Sequence, residues 1–279
     1  MKKYILPLVV ILLTVSIGCK KYEDPLPPEQ PPVQLPVDDV RTVLLKDVNA
    51  QSLPGPYYHF VYDNFHYVKQ ISFASGFAVY DVEYENNRVK MMTNRVNDNI
   101  YLYHYSNNRV SEINEFSGAI INKTFSYRLS YNSLNQLSQV NWVFFSNNGR
   151  QDTVKKEVLT YLPTGNLAAI DHYFSTEPGQ PLEWASRDEF SDYDNKLNVD
   201  DFSVLKKEFF SPYLFLPQVR LQKNNPGRQH IISAGNEFDI RYSYQYQNGL
   251  PVEESGTLKV TRGPNSGSVF PFSIQMNYY

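Results

Sequence analysis

The 279-residue chain holds one cysteine, two tryptophans and four methionines, and its formal net charge is only −3. The lone Cys19 excludes an internal disulfide, so the stability of the folded body must come from its core. A near-neutral balance with no block of Lys or Arg excludes the electrostatic footprint of a nucleic-acid binder. No Gly-rich phosphate loop and no nucleophile elbow occur, and no thiol is left for catalysis once Cys19 is committed to the chain start. His59, His66, His104, His172 and His230 are scattered, and none stands at helical i, i+4 spacing with a Glu, so no metal and no cofactor is expected. Asp192, Asp194 and Asn198 do not make a calcium loop, because no Gly stands at the bend and no Glu closes the site. They read as a turn.

Long apolar runs are also missing, apart from one at the start. Lys2 and Lys3 precede a hydrophobic stretch from Ile5 to Ile17 that ends in Ser16-Ile17-Gly18-Cys19. A basic flank, a short apolar core and small residues before a cut site describe a secretory signal. The run is shorter than the ~20 residues of a spanning helix. Small residues immediately before the cysteine resemble the bacterial lipobox, although Ser16 stands where Leu is commonest. That resemblance implies a signal peptide over residues 1–18 and a diacylated Cys19 as the mature N-terminus, with enough buried methylenes for stable membrane anchoring. Residues 19–39 then form a Pro-rich tether, since Pro25, Pro27, Pro28, Pro31 and Pro32 favour extended, semi-rigid geometry. Lys20 and Lys21 followed by Glu23 and Asp24 resemble surface-export signals of Bacteroidota lipoproteins, with the acids placed slightly late. The body is expected as a single β domain over 40–279.

What the chain has in quantity is aromatic: 22 Tyr and 17 Phe. Such enrichment without long amphipathic runs argues for strands. A unit of Tyr, polar turn and Val or Leu recurs five times. It appears as Tyr84 to Val89, Tyr105 to Val110, Tyr131 to Leu137, Tyr161 to Leu167 and Tyr193 to Val199. Asn86-Asn87 and Asn107-Asn108 suit two-residue type I′ hairpin turns, because Asn tolerates positive φ. The longer copies suit three-residue hairpin loops, with Gly165 at a left-handed position. After each turn the apolar residues fall three apart, as in Val89 and Met92 or Leu137 and Val140. Strict alternation puts them two or four apart, so the spacing predicts a bulge that re-aims the returning strand. Repeats at this period mean stacked supersecondary units.

Elsewhere Tyr57 to Asp63 and Phe65 to Phe73 read as two strands. Residues 200–210 change period, with Phe202, Leu205 and Phe209 on one helical face, and predict one short helix. Asn248-Gly249 predicts a further hairpin. The fold expected is all-β: an antiparallel meander of repeated hairpins forming a curled sheet or a barrel. Charges are too frequent in the strands for a lipid-facing band.

The unit resembles the YD (Rhs-type) hairpin repeat, and the wider pattern is similar to uncharacterised Bacteroidota lipoproteins with a domain of unknown function and a porin-like fold. The residues that carry this are Cys19, the series from Tyr84 to Val199, Asn224-Asn225-Pro226, and Tyr244 to Pro251. The sixth unit departs, because Glu253 stands three after Leu250. The resemblance implies architecture and an outer-membrane location facing periplasm or cell surface, and it implies no catalytic residues.

The leading expectation is a non-catalytic binding or structural lipoprotein, partnered by the membrane through its anchor and by a glycan or an envelope protein. A rival is a glycan-binding surface lipoprotein, with Trp142 and Trp184 as the stacking platform. The two are told apart by whether both indoles are exposed together. A hydrolase is the third reading, since paired carboxylates on a sheet leave no spacing signature.

Overall fold

Asn86 and Asn87 both have positive φ (52° and 62°), as do Asn107 and Asn108 (49° and 64°). Two consecutive left-handed residues are what a type I′ turn demands, so the short copies are the tight hairpins their Asn pairs predict. In the longer copies a single residue takes this conformation: Asn135 at 62° and Gly165 at 88°. The computed structural model describes residues 43–118, 122–199, 215–216 and 219–279.

These hairpins follow one another around a ring. The strands are β1 (Leu45–Ala50), β2 (Tyr58–Tyr62), β3 (Val68–Phe73), β4 (Ala78–Glu85), β5 (Arg88–Asn94), β6 (Ile100–Ser106), β7 (Arg109–Phe116) and β8 (Lys123–Tyr131). They continue as β9 (Leu137–Phe145), β10 (Gln151–Tyr161), β11 (Leu167–Phe174), β12 (Glu183–Ser191), β13 (Arg228–Ser233), β14 (Glu237–Gln247), β15 (Leu250–Arg262) and β16 (Val269–Tyr278). Each pairs antiparallel with its neighbours in sequence, and β16 returns to pair with β1, so the meander closes as a sixteen-strand barrel. Closure leaves no unpaired sheet edge. The helix expected at 200–210 lies outside the described residues, and the helical turn described is a single 3-10 turn at Ala74–Gly76.

The bulge read from the three-residue spacing is present in the register. Glu83 faces Met91, but the next residue, Tyr84, faces Val89, so one residue of β5 is skipped. The same shift precedes Tyr105, Tyr131 and Tyr161. It turns Val89 and Met92 inward together, and both are fully buried.

The repeat tyrosine has a defined task. Tyr105 Oη donates to the Val89 carbonyl at 2.8 Å, Tyr131 to Val110 at 2.9 Å, Tyr161 to Leu137 at 2.8 Å and Tyr193 to Leu167 at 2.7 Å. Each hydroxyl therefore reaches the Val or Leu of the preceding unit. A bulge interrupts the ladder beside that carbonyl, and the hydroxyl supplies a partner the backbone no longer offers. Tyr84 bonds Val68 at 3.0 Å and Tyr62 bonds Leu45 at 2.8 Å in the same way.

These last bonds expose a copy the spacing analysis missed. Tyr57 to Asp63 and Phe65 to Phe73 are not two long strands, because residues 63–67 form the turn of another unit running from Tyr62 to Val68. Asp63 Oδ1 accepts the amides of Phe65 and Tyr67 at 2.8 and 3.0 Å. Asn132 does the same for Leu134 and Gln136 at 3.0 and 2.9 Å. An Asp or Asn after the Tyr folds the turn by bonding its own backbone.

One predicted copy is not a hairpin. After Ser191 the chain leaves the wall, and the next strand among the described residues begins at Arg228. Asp194 and Asn198 donate their amides to the carbonyls of Asn225 and Lys223, each at 3.0 Å. The returning arm of this long connection thus takes the place of a return strand. Tyr193 keeps its bond to Leu167, and Val199 is buried in the core.

Described residues of the connection reach into the lumen. Tyr103 on β6 donates to the Phe215 carbonyl at 2.8 Å, while Asn225 bonds Tyr246 on β14 at 3.1 Å. Touching inner faces on both sides of the ring places Phe215, Leu221 and Asn225 inside it. Neighbouring rows confirm the two faces. Tyr103, Ile113, Tyr127 and Trp142 run side by side inward, and His104, Glu112, Arg128, Asn141 and Lys156 run side by side outward. The outward row is polar and charged.

Candidate ligand-binding cavity

Between the connection and the wall of β12 to β16 lies a cavity of about 390 Å³, within the size range of small-molecule sites (~300–1,000 Å³). Its wall is built by register. Tyr244, Glu254 and Ile274 stand side by side on β14, β15 and β16, as do Tyr242, Gly256 and Phe272 one step along. A Cβ at Gly256 would come within 2.6 Å of the Phe272 ring. The glycine therefore makes room for the edge-to-face contact of Tyr242 and Phe272, whose centroids are 5.7 Å apart. Tyr242 also stacks on Tyr244 at 6.4 Å.

The hydroxyls of these rings are held at the base. Tyr244 Oη donates to the Pro226 carbonyl at 3.0 Å, and Tyr242 Oη to Gln229 Oε1 at 2.5 Å. Gln229 and Gln222 both line the cavity and are almost fully buried, and among the described residues the amide nitrogen of Gln229 has no hydrogen-bond partner. Buried amide donors without partners cost about 1–3 kcal/mol each.

Glu254 is the informative residue. In the unit at Tyr84, Tyr84 faces Val89 and Val82 faces Met92; in the last, Tyr246 faces Pro251 and Tyr244 faces Glu254. Counting from Leu250 made Glu253 the departing residue, but the register makes Pro251 the counterpart of Val89. Glu254 thus stands where Met92, Ile113, Val140 and Ile170 fill the core of other units. A carboxylate replaces a core side chain at a unit whose inner face borders the cavity.

The connection enters from the end that carries the repeat turns, because β12 ends and β13 begins there. Leu45 and Tyr278 pair at this same end. Phe270, which faces Leu258 near the opposite loop, lines the cavity and is 53% exposed. The cavity therefore has its floor at the repeat-turn end and its mouth at the other.

A second polar cluster lies buried on the inner face of β10, β11 and β12. Lys155 Nζ is 3.0 Å from Glu157 Oε1, His172 Nδ1 is 3.2 Å from the same oxygen, and His172 Nε2 is 3.4 Å from Asp188 Oδ2. Burial alone would push the His172 pKa down. Hydrogen bonds to Asp188 and Glu157, with the charges of both, outweigh this and lift it to about 9. The His172 imidazole is thus protonated at neutral pH. Lys155 also sits 4.3 Å over the Trp142 ring. On the inner face of β7, burial pushes the Glu115 carboxyl up against the opposing hydrogen bonds of Tyr127, Asn99 and Tyr101. Among the described residues no group of three or more His, Cys, Asp or Glu side chains is arranged to hold a metal ion.

The two tryptophans do not form a platform. Trp142 faces inward at 5% exposure, and Trp184 faces outward at 41%, beside Tyr173. They lie on opposite faces of the wall because they fall on rows of opposite parity. Cys19 and the tether lie outside the described residues. Val89, Val110, Leu137 and Leu167 are fully buried behind their turns, and Tyr84, Tyr105, Tyr131 and Tyr161 are half-buried around them. Sequence reasoning missed the buried ionic cluster, although the alternation in β10 and β12 already carried Lys155, Glu157 and Asp188 at inward positions.

The fold has solved counterparts. A porin-like protein from Bacteroides uniformis ATCC 8492 superposes with a TM-score of 0.56 at 12% identity, covering 80% of this chain and 90% of that one. A porin-like protein from Bacteroides vulgatus ATCC 8482 gives a TM-score of 0.56 at 13% identity, over 85% of this chain and 99% of that one. The chain has a porin-like barrel fold. At these identities the likeness is one of fold alone. No protein-family model matches the chain, and no curated protein matches it.

Proposed function

We propose that the chain is a lipoprotein of the bacterial envelope, held by acylated Cys19, whose barrel binds a small molecule without transforming it. The observation that carries this reading is the cavity itself: a part-aromatic cup between the inner wall of β12 to β16 and the described residues of the connection. An open pore needs a clear lumen, and a barrel embedded in lipid needs an outward apolar band. Here Phe215, Leu221 and Asn225 stand inside the ring, and the outward row carries His104, Glu112, Arg128 and Lys156. Such a wall suits water. The porin-like barrels of Bacteroides support an envelope location, and the lipobox at Cys19 supports an anchor in the outer membrane, facing periplasm or surface.

The test is equilibrium dialysis of the detergent-solubilised full chain, with protein-free micelles as blank. The probes are three small aromatics: cationic phenyltrimethylammonium, neutral tert-butylbenzene and anionic 4-tert-butylbenzoate. Saturable uptake of any one at one molecule per chain, lost when Leu258→Trp fills the mouth, supports the reading. Absence of saturable uptake of all three overturns it in favour of a purely structural barrel. Fractionation of cells expressing Cys19→Ala addresses the anchor separately, with loss of acylation and of membrane association expected.

A further inference from the structure

We infer that the cavity takes a neutral, largely hydrocarbon molecule held by apolar contact, because the polar side chains on its described wall are already committed within the protein. The inference rests on the binding role proposed above and adds the ligand's chemical class. Three observations carry it.

The first is that the polar side chains are spent. Tyr242 gives its hydroxyl proton to Gln229, and Tyr244 gives its own to the Pro226 carbonyl. Asn198 donates to Gln222 Oε1 at 3.4 Å and to the Asn224 carbonyl at 3.3 Å. Asn225 donates to the Asp194 carboxylate and to the Tyr246 hydroxyl. Glu254, the one charged side chain among the described lining residues, is itself engaged within the protein. The amide nitrogens of Gln222 and Gln229 are buried, with no surface open to a ligand. A charged ligand would give up its water for a wall with no free partner, and nothing here returns that cost.

The second is the backbone. Pro226, Pro251 and Pro271 all line the cavity, and proline carries no N–H to donate. The carbonyls of Pro226 and Pro251 already accept from Tyr244 and Tyr278. At these three places the main chain therefore offers a ligand no donor.

The third is what remains. Ile240, Leu258, Phe270, Phe272, Ile274 and Met276 present apolar side chains to the cavity. Phe270 stands at the mouth and is still 53% exposed. A hydrocarbon body seated there removes that ring from water, a gain that grows with the apolar area covered. Contact of this kind asks the ligand for shape and low polarity and for no hydrogen bond.

The experiment repeats the dialysis with a fourth probe, 4-tert-butylphenol, and refers every affinity to the free probe in the dialysate. tert-Butylbenzene is expected to bind about tenfold or more tightly than phenyltrimethylammonium, its charged isostere, and than 4-tert-butylbenzoate. 4-tert-Butylphenol is expected to bind no more tightly than tert-butylbenzene, since its added hydroxyl finds no free partner. Phe270→Ala removes a ring that is half in water and should weaken tert-butylbenzene about three- to tenfold. Three results overturn the neutral assignment and leave the binding role standing. They are a charged probe bound as tightly as tert-butylbenzene, tighter binding of the phenol, and tert-butylbenzene binding unchanged by Phe270→Ala. Failure of every probe to bind overturns the binding role instead.

Discussion

Tyr105 Oη lies 2.8 Å from the carbonyl oxygen of Val89, the buried residue that closes the preceding hairpin. Six tyrosines make this bond from one unit to the one before it, from Tyr62 to Tyr193. The repeat is therefore more than a recurring shape. Each hairpin satisfies a backbone acceptor of its neighbour, so the units are coupled side to side around the ring.

Tyr105→Phe removes the hydroxyl and leaves the Val89 carbonyl without that donor. The expected loss is about 1–2 kcal/mol, read as a lower urea midpoint with an unchanged slope. Tyr131→Phe and Tyr161→Phe should cost similar amounts. Burial pushes the Tyr131 hydroxyl up to about 12, so it remains a donor throughout the neutral range.

At Asn87 the backbone φ is 62°. Asn87→Gly adopts it freely and should leave stability within a few tenths of a kcal/mol, whereas Asn87→Val should cost about 1–2 kcal/mol through left-handed strain. Thermal unfolding of the pair separates turn conformation from side-chain loss, since both variants remove the same amide.

Much of this was legible in the sequence because it is local. The Asn pairs, the three-residue spacing after each turn and the alternation in β8 each fix a hairpin, a bulge or a face within ten residues. The copy at Tyr62 was missed because Phe65 and Tyr67 continue an aromatic run across the turn, and hydropathy alone cannot show that Asp63 bends it. Tyr193 to Val199 reads as a hairpin because its residues match, but the partner that pairs with it, 223–225, is set by tertiary structure. Trp142 and Trp184 sit on opposite faces for a similar reason: the bulges between them shift parity in ways no spacing reveals. The cavity was beyond reach, since it joins β12–β16 to residues of a connection that returns from far along the chain. Yet Glu254 was nearly visible, one residue from the departure noted in the last unit.

Asn166 ties that connection to the wall. Its Oδ1 accepts the amides of Lys223 and Asn224 at 2.8 and 3.0 Å, and its Nδ2 donates to Asn224 Oδ1 at 3.0 Å. Asn166→Ala would leave two backbone donors unpaired, at about 1–3 kcal/mol each. Because the barrel strands pair without Asn166, the expected outcome is local. Hydrogen exchange should quicken for 221–225 while β4 to β9 stay protected, and cavity binding should weaken with it. Uniform loss of protection would mean that the connection and the barrel form one cooperative unit.

The ionic cluster at His172 predicts a direction with pH. Its folded pKa of about 9 exceeds the unfolded value near 6.5, so the folded state holds the proton more tightly. The stabilising contribution is complete below about pH 6.5 and is lost as pH rises towards 9, by the linkage between proton binding and folding. A shift of this size corresponds to about 3 kcal/mol at most. The urea midpoint is therefore expected to fall between pH 6.5 and 9, and the His172 ring protons should report a charged imidazole at pH 8. His172→Gln keeps a donor towards Glu157 but cannot titrate. It should be less stable than the wild type at pH 6 and nearly matched to it at pH 9.5, where the wild-type imidazole has also become neutral. A wild-type midpoint that stays level across this range would mean that Lys155 alone balances Glu157 and Asp188 and that the histidine is buried uncharged.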